Sequence, residues 1–139
     1  KKVLVIDDEP SIVTYLTTVL DDCGYRVCSA MDADEGAELA RSQSPDLICM
    51  DIMMPKRSGI ALYQELKLDP RLKDVPVIFI SAFTLVRDLR DVVSFRKMIP
   101  DAAVPLPELC LEKPVRAQVF EEAVESLIGG PHEPSGAGE

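Results

Sequence analysis

The sequence predicts a doubly wound α/β domain built on a parallel five-stranded sheet. Three observations carry the prediction. Five short apolar runs alternate with helix-patterned segments. The runs are apolar enough for burial on both faces, as a parallel sheet between two helix layers needs. Acidic residues close two of them, Asp7 and Asp8 after the first and Asp51 after the third. Those carboxylates therefore stand at strand carboxyl ends, where open α/β sheets hold their ligands.

The elements follow in order. The first strand covers residues 3–7, the run Val3-Leu4-Val5-Ile6 closed by Asp7. Residues 11–23 place Ile12, Val13, Leu16, Val19, Leu20 and Cys23 on one helical stripe, and Gly24 supplies the stop. Residues 25–30 alternate as a second strand. Asp32 with Glu35 forms a capping box for a helix through Arg41. Residues 46–50 are the third strand, 55–59 a loop, and 60–67 a short helix stopped by Asp69-Pro70. Residues 75–80 are the fourth strand, with Pro76 near its start, where proline is tolerated.

Residues 85–98 read as one helix carrying Leu85, Leu89, Val92, Val93 and Arg96 on one side. Pro100, Pro105 and Pro107 forbid its continuation across residues 99–108. A short fifth strand at 109–111 and a last helix at 115–128 follow, the helix burying Phe120, Ala123, Val124, Leu127 and Ile128. The domain thus occupies residues 1–128, with an extended segment at about 99–108. Residues 129–139 have the Gly/Pro/Ser composition of a flexible linker.

Right-handed crossovers leave few ways to connect five such strands. The flavodoxin-like order 2-1-3-4-5 fits best, and it sets the switch point between strands 1 and 3. Asp7, Asp8 and Asp51 then converge. Carboxylates gathered in water-poor surroundings need a cation or a proton to coexist, and a hard divalent metal with oxygen ligands is the fitting one. Ser81 follows the fourth strand and Lys113 the fifth. A hydroxyl, an ammonium, a metal and carboxylates around one point suit a phosphoryl group. One carboxylate would be the nucleophile of an aspartyl phosphate.

Composition narrows the field. A chain of 139 residues is one domain by length. No apolar stretch approaches the roughly 20 residues of a membrane span. A net charge of −9 disfavours nucleic acid as a direct partner. Cys23, Cys28, Cys49 and Cys110 show no metal-type pairing, and the last three sit in apolar runs. They read as buried free thiols of a reducing cytoplasm. Lys1-Lys2 leads straight into a strand, so no signal peptide is expected. Without an initiating Met the chain reads as a processed or excised piece. The only histidine, His132, lies in the tail and is expected to be inert.

Four pieces, in order and each at a strand end, resemble the CheY-like receiver domain of two-component response regulators. They are Asp7-Asp8-Glu9-Pro10; Met50-Asp51-Ile52-Met53-Met54-Pro55 with Gly59; Ile80-Ser81-Ala82; and Lys113-Pro114. The resemblance extends from Lys2 to about Ile128. It implies that Asp51 is the phosphoacceptor and that Asp8, Asp51 and the backbone carbonyl of Met53 bind Mg²⁺, with Asp7 helping through water. It implies that Lys113 pairs with the phosphate, that Ser81 moves toward it as a switch, and that the Lys113–Pro114 bond is cis. It implies a histidine kinase or phosphotransfer protein as phosphohistidine donor, and leaves room for an output domain outside the chain and for a homodimer. Such a domain assists its own phosphorylation but is not a turnover enzyme.

The sequence departs from the family in three places. Cys110 stands where many receivers place the Tyr or Phe that rotates on activation, and a thiol cannot fill a ring's volume. The 31 residues between Ser81 and Lys113 exceed the usual spacing, with a proline-rich stretch before the last strand. That predicts a non-standard output surface. The alternative is a loop without a role, since surface insertions cost little. Met53, Ala82 and Phe83 occupy the positions that tune phosphate lifetime. Met53 and Phe83 are bulky and cannot orient water by hydrogen bonding, so slow loss of phosphate is expected. Two other readings stand beside this one. A receiver-fold interaction module working without phosphorylation would be consistent with Cys110. A haloacid-dehalogenase-type phosphatase would want a second Asp two residues after its nucleophile, but Glu9 and Met53 stand there.

Overall fold

Five strands pair in parallel in the order β2-β1-β3-β4-β5, the topology the alternation predicts. They are β1 (Lys2–Ile6), β2 (Arg26–Ala30), β3 (Leu47–Met50), β4 (Val77–Ser81) and β5 (Leu109–Glu112). Among the described residues six helices connect and cover them: α1 (Pro10–Asp22), α2 (Ala33–Gln43), α3 (Gly59–Leu68), α4 (Phe83–Arg90), α5 (Val92–Met98) and α6 (Ala117–Ile128). The structure is a computed structural model that describes residues 1–131, apart from the Phe83 side chain. Phe83 as a tuning side chain, His132 and residues 132–139 of the expected linker lie outside the described residues.

The pleat sorts each strand between two cores. Val3 and Val5 pack with Leu16, Val19, Leu20, Phe120 and Val124 under α1 and α6. Leu4 and Ile6 face the opposite layer, formed by α2, α3, α4 and α5. Burial on both faces is why the strands read as continuous apolar runs. Local chemistry starts the helices. Pro10 takes the first position of α1, where its missing N–H costs nothing. Asp32 Oδ1 accepts from the Glu35 N–H at 2.8 Å, and Glu35 Oε1 accepts from the Met31 N–H at 2.9 Å. The predicted capping box thus forms, with its return bond one residue upstream.

The single helix predicted over residues 85–98 is corrected. The chain is extended at Asp91, with φ −83° and ψ 117°, which ends α4 and begins α5. The Asp91 carboxylate accepts from the Ser94 hydroxyl at 2.8 Å and caps the new helix. The break rotates the buried face. Val86 and Leu89 are buried on α4 and Phe95 on α5, whereas Val92 and Val93, expected on the apolar stripe, are exposed. The helix α6 starts at Ala117, and Leu127 and Ile128 are only half-buried.

Residues 99–108 are free of helix, as the prolines require, but they belong to the core. Ile99 and Val104 are fully buried. The Tyr63 hydroxyl donates to the Pro105 carbonyl at 2.8 Å, and the Tyr63 ring packs against Phe79 and edge-on against Phe95. Lys67, buried on α3, donates to the carbonyls of Val75 at 2.8 Å and Lys73 at 3.2 Å. Its ammonium also lies 3.7 Å from Glu108 Oε2, while Glu108 Oε1 accepts from the Val77 N–H. Tyr63→Phe leaves the Pro105 carbonyl without this donor. Urea unfolding is expected to show a loss of about 1–2 kcal/mol.

Charged side chains anchor the β3–α3 loop to the helices beside it. Glu65 on α3 pairs with Arg57 of the loop and with Arg41 of α2. The hydrogen bond from Arg57 is the main reason the Glu65 carboxyl is held below its ordinary value, against the opposing effect of burial. A depressed acid stabilises the fold above its unfolded value of 4.5, and the contribution is lost as pH falls through the lower folded value. Thermal melts should therefore show wild type losing more stability than Glu65→Gln on going from pH 5 to pH 3.

The thiols are free. Cys49 and Cys110 are buried as expected, but Cys28 is half-buried because it sits on the edge strand β2. Cys23 is half-buried against Glu121, whose carboxylate, accepting from the thiol, pushes it up to about 11. No helix among the described residues is long and apolar enough to cross a membrane.

Candidate functional site

Strand ends build the site. β1 and β3 are neighbours, so Asp7 and Asp51 emerge side by side, each anchored by its own N–H: Asp7 to the Ala30 carbonyl, Asp51 to that of Ile6. Asp7, Asp8 and Asp51 offer carboxylate oxygens that all lie within 4.8 Å of one another. Asp7 and Asp51 are 2% and 6% exposed. Asp8 is half-buried.

Ser81 and Lys113 converge on Asp51. Ser81, buried at the end of β4, donates from Oγ to Asp51 Oδ1 at 2.5 Å, and the Ile52 N–H donates to the same oxygen at 2.7 Å. Lys113 Nζ donates to Asp51 Oδ2 at 3.0 Å. The Lys113 N–H also donates to the Ser81 carbonyl at 2.8 Å, tying the ends of β4 and β5 together. The Lys113–Pro114 peptide bond is cis.

Lys113 has further partners. Its ammonium lies 3.0 Å from Asp7 Oδ2 and 3.0 Å from Glu9 Oε1. Burial alone would depress this ammonium, but its hydrogen bonds to Asp7, Glu9 and Asp51 outweigh burial and raise it above the ordinary lysine value. Burial raises the Asp7 carboxyl above its ordinary value. The Glu9 N–H and Lys113 oppose that shift, and the charge of Asp51 adds to it.

Glu9 is a site residue that sequence reasoning left without a role. Its ion pair joins positions 104 apart in sequence, so only the fold reveals it. Met53 stands in the loop after Asp51 with 65% of its surface exposed. Ala82 is exposed at the start of α4. Cys110 is buried in β5, and its carbonyl accepts from the Arg90 guanidinium of α4.

One glycine is fixed by this site. The Gly59 N–H donates to the Ile52 carbonyl at 2.7 Å, which brings the start of α3 against the strand that carries Asp51. A Cβ on Gly59 would lie 2.0 Å from the Asp51 carbonyl oxygen.

A family model described as the response regulator receiver domain matches residues 3–98. The chain belongs to the response regulator receiver family. The matched stretch ends before the proline-rich segment and β5, the strand that carries Cys110. The DNA-binding dual master transcriptional regulator RpaA of Synechocystis is 38% identical over 87 residues, covering 63% of this chain and 36% of RpaA. The alkaline phosphatase synthesis transcriptional regulatory protein PhoP of Bacillus subtilis is 40% identical over 82 residues, 59% of this chain and 33% of PhoP. This receiver thus spans about a third of the length of those regulators.

Solved structures share its fold. The receiver domain of a signal transduction histidine kinase from Syntrophus aciditrophicus superposes with a TM-score of 0.74 at 25% identity, over 98% of this chain and 91% of that one. The receiver domain of a Pseudomonas aeruginosa sensor histidine kinase, solved with magnesium coordinated in its active-site cleft, gives 0.77 at 23% identity, over 94% and 98%.

The residues of this receiver suit such an ion. The three carboxylates of Asp7, Asp8 and Asp51 cluster together, with the one ammonium of Lys113 against Asp7 and Asp51. The resulting negative excess, presented by hard oxygen donors, is what a small divalent cation neutralises.

Proposed function

We propose that this receiver accepts a phosphoryl group onto Asp51 from a phosphohistidine of a histidine kinase or phosphotransfer protein. The observation that carries the reading is the convergence of a hydroxyl and an ammonium on one buried carboxylate: Ser81 on Oδ1 and Lys113 on Oδ2. In the transfer an Asp51 oxygen bonds to phosphorus, the phosphorus–nitrogen bond breaks, and the imidazole leaves with a proton. Asp7, Asp8 and Asp51, with the Met53 carbonyl, would hold Mg²⁺, which supplies charge neutralisation to the phosphoryl oxygens.

The chain's own groups do the rest. The Ile52 N–H and the two side-chain donors fix the carboxylate in one orientation, which is the positional part of catalysis. Lys113 places a full positive charge where the transferred group's oxygens arrive. The Ser81 hydroxyl can leave Asp51 for a phosphoryl oxygen and take the end of β4 with it. Because α4 begins two residues later, such a movement bears on α4. Cys110 provides no rotating ring, but the Arg90–Cys110 contact joins α4 to β5 directly.

Incubating the chain with phosphoramidate, a small phosphorus–nitrogen donor, tests the reading. Labelling that needs Mg²⁺ and stops on chelation supports it. Absence of labelling at saturating donor and Mg²⁺ favours the phosphorylation-independent interaction module. Loss of label should be slow, because exposed Met53 offers no group to orient water. Acceleration by Met53→Asn would support that assignment, and a fast wild-type loss that Met53→Asn slows would oppose it.

The output surface would lie on α4, α5 and the proline-rich segment. Val92 and Val93 are exposed at 56% and 63%, an apolar pair at the start of α5. Deleting residues 99–107 would remove the buried Ile99 and Val104 and so confound any binding test. Val93→Asp leaves the core intact and is the better probe.

A further inference from the structure

The Lys113 ammonium has three protons to donate, and three carboxylates stand 3.0 Å from it: Asp7, Glu9 and Asp51. An ammonium has no fourth donor. A phosphoryl group arriving at Asp51 can therefore be met by Lys113 only if one of the three gives way. Asp7 and Asp51 are buried where water cannot replace a lost hydrogen-bond partner. The Glu9 side chain is 57% exposed, and its carboxylate can return to water at little cost.

Glu9 is also free of other duty. It is the N-cap residue of α1, yet its side chain makes no capping hydrogen bond. Its backbone N–H, which a substitution of the side chain leaves in place, is the group that donates to Asp7 Oδ1 at 3.0 Å. Its carboxylate is not among the three that cluster within ligand distance of one another.

We propose that Glu9 is a built-in competitor for Lys113, holding the ammonium until an anionic phosphoryl donor displaces it, and so sets how much donor this receiver needs. The inference rests on Asp51 being the phosphoacceptor. Glu9 is a positioning residue here, acting through Lys113. In Glu9→Gln the competing charge is gone and Lys113 is available to the donor without an exchange.

The test follows labelling against phosphoramidate concentration for wild type and Glu9→Gln, with Mg²⁺ affinity measured separately by calorimetry. The expected result is half-maximal labelling at a donor concentration about two- to five-fold lower in Glu9→Gln, the range spanned by an exposed ion pair. The shift should shrink as salt is raised. The maximal rate and the Mg²⁺ affinity should stay near wild type. An unchanged or higher donor requirement, or a Mg²⁺ affinity that falls as far as in Asp8→Asn, overturns the inference while leaving Asp51 as acceptor. Failure of wild type to label at any donor concentration overturns both together.

Discussion

Replacing Gly59 with Ala should destabilise this receiver by about 3 kcal/mol or more, at the upper end of what overpacking costs. The Cβ would meet the Asp51 carbonyl oxygen at 2.0 Å and the Ile52 Cα at 3.0 Å. Both are backbone atoms, so no rotamer change relieves the clash. Either the Gly59–Ile52 hydrogen bond breaks or the end of β3 moves. The second route shifts the Asp51 side chain that Ser81 and Lys113 hold, so labelling should fall beyond what lost stability explains. Urea unfolding at neutral pH measures the first effect. A loss under 1 kcal/mol would show that α3 can withdraw from Asp51 freely.

Asp51→Asn should abolish phosphoryl labelling without harming the fold. The amide keeps the shape of the side chain but is not a nucleophile of carboxylate strength. Asp51 and Asp7 are buried like charges sharing one ammonium, and the Asp51 charge helps push the Asp7 carboxyl upward. Removing it relieves that repulsion. The unfolding midpoint of Asp51→Asn should therefore equal or exceed that of wild type, and a clear drop would mean that the hydrogen bonds to Asp51 outweigh its repulsion. Persistent labelling would move the acceptor elsewhere.

How much of this was legible in the sequence depended on how local each feature is. Val3-Leu4-Val5-Ile6 announces a doubly covered strand, and the Asp residues that follow it are placed by adjacency alone. The same holds for Ser81 after β4 and Lys113 after β5. The strand order then needed only the right-handed crossover rule. Features that depend on distant partners were hidden. Glu9 and Lys113 are neighbours only because β1 and β5 end on the same carboxyl side of the parallel sheet. Lys67 looks like a solvated end of a helix, yet the chain folds two carbonyls and Glu108 around it. Ile99 and Val104, isolated among prolines, have no period to mark them as core. The break at Asp91 was the one local signal missed: Asp91 three residues before Ser94 is a capping pattern, obscured by apolar spacing that runs on across it.

Everything proposed for this receiver turns on Asp51 receiving the phosphoryl group. The most direct measurement is the site and number of phosphoryl groups on the intact chain after reaction with phosphoramidate and Mg²⁺, read by mass spectrometry before and after hydroxylamine, which cleaves acyl phosphates. One phosphoryl group per chain is expected, removed by hydroxylamine and mapped to the peptide containing Asp51. A label that survives hydroxylamine, or that maps to Ser81 or any peptide lacking Asp51, would contradict it.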